Sequence, residues 1–389
     1  MADIEGKAPA PVVAGLYFGF VLTGIGTNLL GCILPALSGI WSLSDSHSGF
    51  LFAAQFAGSS TGALLMQSDL YKSIVRGYVL LVLGAIAFAL CRGHLAPLFL
   101  FCYGLGLGSS MTATSMIFGR MYTSNRGASL SLLNAFWGLG AVMCPLLATG
   151  WERLESPGSI YLGLALAASL PLVVLASQYN YLSRLRDDVV VLPGRSSKLS
   201  LLIPLAIFAF LYVGVESSIS GWMMTYVHRL PFASGLYAPI ATSFFWIALL
   251  FGRSAAPIVL RRISESRLLT ITLCVLLVSN VLLLLSYTPV MSIASATLAG
   301  LMLAPIFPLC LSKVLAIASG PSESRWVFAI SGLGGAVVPW MTGQVASFSG
   351  SLRTGLAVPL VAGVVMLLLQ VRTQQVLAPA ISDRKAGLS

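Results

Sequence analysis

Long apolar stretches separated by short polar connections run through the chain from Val12 to Arg372. Each approaches the roughly 20 residues that one helical crossing of a bilayer requires. Because lipid offers backbone groups no hydrogen bonds, such runs are expected to be helices. The first is longer than a signal peptide, so we expect it to be a retained helix. We place twelve crossings at 12–38, 48–67, 75–92, 95–119, 127–150, 158–180, 200–227, 234–253, 267–288, 290–316, 325–348 and 353–372.

The composition excludes a soluble globular protein. Hydrophobic residues make up 57% of the chain and charged residues only 9%, whereas soluble domains carry about 25% charged residues. The net charge of +10 does not indicate nucleic-acid binding, because the basic residues lie singly between apolar runs, without interleaved aromatics. We therefore expect an all-α membrane protein of twelve transmembrane helices, with no nucleic-acid partner.

The distribution of basic residues predicts the orientation. Successive connections between crossings lie on opposite sides of the membrane, and an even number of crossings puts both tails on one side. On that side fall 18 of the 22 lysines and arginines. That count assigns Arg253 to the connection after the eighth run. Basic residues are enriched on the cytoplasmic side of membrane proteins. The sequence thus predicts a multi-pass protein of the cell (inner) membrane with cytoplasmic N- and C-termini.

The chain is organised as two similar halves. The longest polar stretch, 180–198, separates a predicted six-helix bundle at 1–180 from a second one at 200–389, which ends in a short cytoplasmic tail; residues 181–199 form the predicted cytoplasmic linker. Three motifs recur in order at offsets of 194 to 196 residues, half of the 389-residue chain. They are Leu16-Tyr17-Phe18-Gly19 with Leu211-Tyr212-Val213-Gly214, Gly104-Leu105 with Gly300-Leu301, and Gly138-Leu139-Gly140 with Gly332-Leu333-Gly334. Repeated six-helix halves are typical of facilitator transporters.

The chain resembles the major facilitator superfamily over nearly its whole length. Within it, the chain is similar to the branch of fucose:proton symporters and sodium-dependent-glucose-transporter-like proteins. The residues that carry the resemblance are Leu211–Glu216 with Gly221-Trp222 and Thr225-Tyr226, Arg126 with Leu132–Gly138, Phe245-Trp246 with Gly252-Arg253, and Ala304–Pro308. The resemblance implies two pseudo-symmetric six-helix bundles and solute transport. The loop at 67–76 departs from the family pattern, and the first and fourth runs lack the acids linked to protons in the fucose symporter.

Sequence motifs for an enzyme, a cofactor or a metal are missing. The six cysteines lie inside apolar runs without a CxxC pair, and the three histidines lie in short connections. The glycine run 104–108 lacks the Lys-Ser/Thr of a phosphate loop. We therefore expect no catalytic residue, no metal and no cofactor.

Glu216 is the acid that stands out. The other eleven of the twelve acids lie in tails or connections, whereas Glu216 lies halfway along the seventh run. An acid at mid-membrane costs about 2.5–3.5 kcal/mol, which favours a functional role as substrate ligand or ion-coupling group. The alternative is a structural acid that ties the helix to a neighbour. Tyr212 lies four residues earlier and shares the same helix face.

Further candidate substrate ligands are neutral polar and aromatic residues inside the apolar runs. The amides of Asn28, Gln55 and Asn134 can bind a solute or join neighbouring helices. A tryptophan within a run can offer a flat apolar face to a sugar ring. The candidates with Glu216 and Tyr212 are Asn28, Gln55, Asn134, Phe136, Trp137, Trp222 and Trp246.

These residues predict a secondary active or facilitative transporter for a small neutral solute, and they favour a hexose. No lysine or arginine is expected deep in a helix, so an anionic solute would lack a countercharge. The two halves would bind the solute near the midplane and work by alternating access. The alternatives are efflux of lipophilic or cationic compounds with Glu216 as countercharge, and a receptor or membrane enzyme. Coupling to protons or sodium stays open, and a monomer is expected.

Overall fold

A computed structural model describes residues 8–66, 69–91, 93–122, 126–152, 155–185, 199–233, 235–317 and 321–386. Their regular structure is helical. The helices are α1 (Ala10–Trp41), α2 (Asp45–Leu64), α3 (Leu70–Leu90), α4 (Ala96–Met121), α5 (Arg126–Glu152), α6 (Ile160–Ser177), α7 (Tyr179–Leu182), α8 (Leu199–His228), α9 (Tyr237–Val259), α10 (Glu265–Leu284), α11 (Pro289–Leu303), α12 (Ile306–Ile317), α13 (Pro321–Ser349), α14 (Leu352–Gly355) and α15 (Ala357–Ala386). Most of the predicted linker, 186–198, lies outside the described residues.

The predicted all-helical membrane protein with twelve crossings is confirmed. Ten spans within the described residues are long and apolar enough to cross a membrane, and α2 and α13 occupy the two remaining crossings. The tenth crossing, Pro289–Val314, consists of two helices, because α11 ends at Leu303 and α12 begins at Ile306. Pro305 and Pro308 flank the start of α12 and cannot donate backbone hydrogen bonds, so the helix breaks there.

Contacts between Cα atoms divide the chain into two compact units. The first comprises Met1–Leu43 and Phe50–Val190, and the second comprises Ser44–Gly49 and Val191–Ser389. Two hydrogen bonds of 2.7 and 2.8 Å from Arg229 to the Asp45 carboxylate attach the short segment to the rest of the second unit.

In the first unit, glycines set the distance between the central helices. A Cβ atom on Gly140 of α5 would collide with the carbonyl oxygen of Val21 in α1. A Cβ atom on Gly104 of α4 would collide with the carbonyl oxygen of Gln55 in α2. These helices therefore pack backbone against backbone, as small residues allow in membranes.

In the second unit, the repeat partners of these glycines have equivalent contacts. A Cβ atom on Gly334 of α13 would collide with the carbonyl oxygen of Phe210 in α8, and one on Gly300 of α11 with that of Phe245 in α9. The first and fifth crossings of each unit, and the second and fourth, thus meet at glycines. The sequence repeat corresponds to one helix-packing scheme used twice.

Candidate functional site

Glu216 forms a charge pair with an arginine in the interior of the second unit. The Nη2 atom of Arg253 lies 3.9 Å from the Oε2 atom of Glu216, and the two side chains are 24% and 13% exposed. The assignment of Arg253 to a connection is wrong, because α9 continues to Val259 and includes it. The expectation that no helix carries a basic residue at depth is therefore wrong as well.

Tyr212 completes a cluster around this pair. Its hydroxyl oxygen accepts a hydrogen bond of 3.4 Å from Nη2 of Arg253. Its buried ring stacks on Phe307 in the first turn of α12, with centroids 5.3 Å apart and an interplanar angle of 27°. The cluster thus joins the seventh, eighth and tenth crossings around one carboxylate, one guanidinium and two aromatic rings.

The glycine before Arg253 explains how the guanidinium reaches this place. A Cβ atom on Gly252 would lie 2.6 Å from the Cβ of Ala304 and 2.9 Å from the carbonyl oxygen of Leu301. Only a residue without a side chain lets α9 approach the break between α11 and α12 this closely. Arg253 follows directly in α9, and its guanidinium reaches the Tyr212 hydroxyl in α8.

The charge pair has hydrogen-bonding capacity left. The Nη2–Oε2 separation exceeds the 2.7–3.2 Å of an ordinary N–H···O hydrogen bond. The Nε atom of Arg253 is buried and has no hydrogen-bond partner among the described residues. A guanidinium carries five N–H donors and a carboxylate only acceptors. The pair is electrically neutral as a whole and can donate to and accept from a polar solute at neighbouring positions.

The candidate tryptophans of the second unit are buried. Trp222 is fully buried, and its Nε1 atom donates a hydrogen bond of 3.0 Å to the carbonyl oxygen of Pro339. Trp246 is 3% exposed and meets Phe245 edge to face at 5.2 Å. In this structure both rings are buried within the protein, on the same two helices, α8 and α9, that carry the charge pair.

In the first unit, Asn28 and Gln55 lie beside the same turn of α1. The Nδ2 atom of half-buried Asn28 donates to the carbonyl oxygen of Gly24 at 2.9 Å. The Nε2 atom of Gln55, in α2, donates to the carbonyl oxygen of Thr27 at 3.0 Å. Its Oε1 atom is buried with no hydrogen-bond partner among the described residues. Each of the two amides thus donates to a backbone carbonyl of α1.

Asn134, Phe136 and Trp137 of α5 have different surroundings. Asn134 is exposed and donates to the carbonyl oxygen of Leu130 at 2.8 Å, whereas Trp137 is 9% exposed. The Phe136 ring packs on Tyr17 with centroids 4.3 Å apart. Tyr17 was not among the expected site residues, although it is the repeat partner of Tyr212. The repeat that aligns Tyr17 with Tyr212 could have identified Tyr17 as a further candidate.

The titratable residues of the described part of the chain include no set of three His, Cys, Asp or Glu side chains placed to hold a metal ion.

Comparisons with known proteins agree with this architecture. The Major Facilitator Superfamily profile matches residues 16–325. The glucose/mannose transporter GlcP of Bacillus subtilis is 23% identical over 352 residues, covering 84% of this chain and 86% of its own. The outward-conformation structure of the transporter FucP has a TM-score of 0.60 at 17% identity, covering 94% of this chain and 99% of its own. A peptide transporter POT in complex with sulfate has a TM-score of 0.75 at 15% identity, covering 98% and 96%. This chain belongs to the Major Facilitator Superfamily and is a membrane transporter rather than an enzyme.

Proposed function

We propose that this transporter carries a small neutral polyol, specifically a hexose, by alternating access. The observation that supports this most is the Glu216–Arg253 pair, which offers donors and acceptors without net charge. Tyr212 adds a hydroxyl and an aromatic ring beside it. A neutral, hydroxyl-rich solute needs such a set of groups. The similarity to a glucose/mannose transporter supports the same solute class.

The pair weighs against efflux of cationic compounds. In that hypothesis Glu216 is the countercharge for the substrate. Arg253 already supplies a positive charge 3.9 Å away, so a cationic solute would meet repulsion from the guanidinium as well as attraction to the carboxylate. A neutral solute avoids this conflict.

The proposal includes the cellular arrangement expected from the sequence. The protein lies in the inner membrane of the cell, with both termini and the linker at 181–199 in the cytoplasm. The functional unit is a monomer. The asymmetry of 18 among 22 basic residues supports the orientation. Whether protons or sodium ions drive transport is tested separately, by measuring flux under each ion gradient.

A ligand screen on the purified protein tests the solute class. A ligand that binds the folded state raises the melting temperature by mass action. We expect glucose or galactose to stabilise the protein, and amino acids, nucleosides and lipophilic cations to leave the melting temperature unchanged. Stabilisation by lipophilic cations alone, with every sugar silent, would instead support the efflux hypothesis.

Flux into proteoliposomes tests transport itself. Radiolabelled hexose should accumulate in vesicles that contain the protein and not in empty vesicles. Imposing a proton or a sodium gradient, one at a time, identifies the coupling ion. No uptake of a hexose that stabilises the protein would contradict transport and favour a receptor.

A further inference from the structure

The Glu216–Arg253 pair has a geometry that fits two neighbouring hydroxyl groups of a sugar. Its charged atoms are 3.9 Å apart, too far for a direct hydrogen bond and close enough for both to reach one small solute. Both side chains keep part of their surface accessible, at 13% and 24%, although they lie within helices α8 and α9. A purely structural ion pair would be expected to close to hydrogen-bonding distance.

Arg253 has donors in need of acceptors. Its contact with Tyr212 is long at 3.4 Å, and its buried Nε has no hydrogen-bond partner among the described residues. A buried donor that stays unpaired is energetically unfavourable. A solute oxygen placed against the guanidinium would remove this cost.

We infer that Glu216 and Arg253 form a diol clamp, in which Arg253 donates to one hydroxyl oxygen of the sugar and Glu216 accepts from the hydroxyl on the adjacent carbon. This rests on the proposed function and adds Arg253 to the substrate ligands. Tyr212 acts as a positioning residue, because its hydroxyl accepts from Nη2 and its ring is fixed by Phe307. The ligand class is a polyol with two vicinal hydroxyls.

A thermodynamic cycle between ligand and protein tests the clamp. We would measure the Kd of D-glucose and of each of its monodeoxy analogues for the wild type, Arg253→Gln and Glu216→Gln. Hydrogen bonds to charged groups contribute enough for removal of one partner to weaken binding about 10- to 100-fold. We expect one deoxy position to weaken wild-type binding by this factor and to have little further effect in Arg253→Gln. The adjacent position should behave in the same way with Glu216→Gln.

A matched control lies close to the pair in the chain. Arg262→Gln removes an exposed arginine just beyond α9 and should leave every Kd unchanged. If a glutamine variant does not fold, Arg253→Lys keeps the charge while losing Nε and the planar fork, and should show the same position-specific coupling. In one contrary outcome, the wild type binds glucose while the loss of affinity from each missing hydroxyl simply adds to the loss from each substitution. That result would overturn the clamp and leave the proposed function intact. A wild type that binds no hexose would overturn both.

Discussion

Replacing Gly140 with alanine should force α1 and α5 apart, whereas the same change ten residues later in the same helix should not. A Cβ atom at Gly140 would collide with the carbonyl oxygen of Val21 and lie 3.0 Å from the amide nitrogen of Ile25. Both obstacles are backbone atoms, which cannot rotate away. Gly150, also in α5, would place its new Cβ in open space, with nothing within 4 Å. The two variants therefore isolate the helix contact from the intrinsic preference of alanine for helices.

The expected effects have opposite signs. Overpacking of a tight contact costs about 1–3 kcal/mol, so Gly140→Ala should lower the free energy of unfolding by that amount. Gly150→Ala should raise it by up to about 1 kcal/mol, because alanine is the better helix former. In the second unit, Gly334→Ala should act like Gly140→Ala, since its Cβ would meet the carbonyl oxygen of Phe210.

Unfolding in mixed micelles, titrated with a denaturing detergent and followed by circular dichroism, measures these differences. Melting temperatures of the same variants provide an independent ranking. Equal stability of the Gly140 and Gly150 variants would refute the argument, because it would mean that the backbone contact between α1 and α5 does not limit the helix distance.

Three further predictions concern other parts of the molecule. At 3.9 Å and an effective dielectric constant of about 20, the attraction between Glu216 and Arg253 is about 4 kcal/mol. Solvent screening of these partly exposed side chains reduces it to about 1 kcal/mol, so a double-mutant cycle on the free energy of unfolding with Glu216→Gln and Arg253→Gln should give coupling of this size. Zero coupling would contradict the ion pair. Trp222→Phe should lower the free energy of unfolding by about 1 kcal/mol, because the buried hydrogen bond from its indole to the carbonyl of Pro339 is lost; an unchanged unfolding curve would contradict this. Ser183→Cys, on a background without the native cysteines, should resist an impermeant thiol reagent added to intact cells and react after lysis, whereas labelling from outside would contradict the orientation.

Hydrophobicity was sufficient to predict the crossings, because membrane helices must be continuous apolar segments. The recurring glycines lie where helices of each half meet, because close backbone contacts leave room for little else. The tenth crossing was predicted as one run, because Ala304, Pro305 and Ile306 are as apolar as their neighbours and hydropathy does not register a backbone break. The full length of α15 was underestimated for the opposite reason, since polar residues after Arg372 continue the helix to Ala386.

The site was harder to predict than the fold. Arg253 was assigned to a connection because a charge usually ends an apolar run, although the apolar residues that follow it carry α9 to Val259. Asn134 and Trp137 are three residues apart, yet Asn134 is exposed and Trp137 is buried. The spacing of side chains along a helix defines a face only to within a broad angle. Which neighbour covers that face depends on tertiary packing, and one sequence does not contain that information directly.

The close approach of Gly252 to the break between α11 and α12 has a consequence for how solute preference can change in evolution or by design. A larger residue at this position would displace α9 outward and withdraw the guanidinium of Arg253 from Glu216 and Tyr212. Selectivity could then change through a position that no solute touches, without loss of either charged residue. We therefore expect the residues at positions 252, 253 and 304 to covary among related transporters.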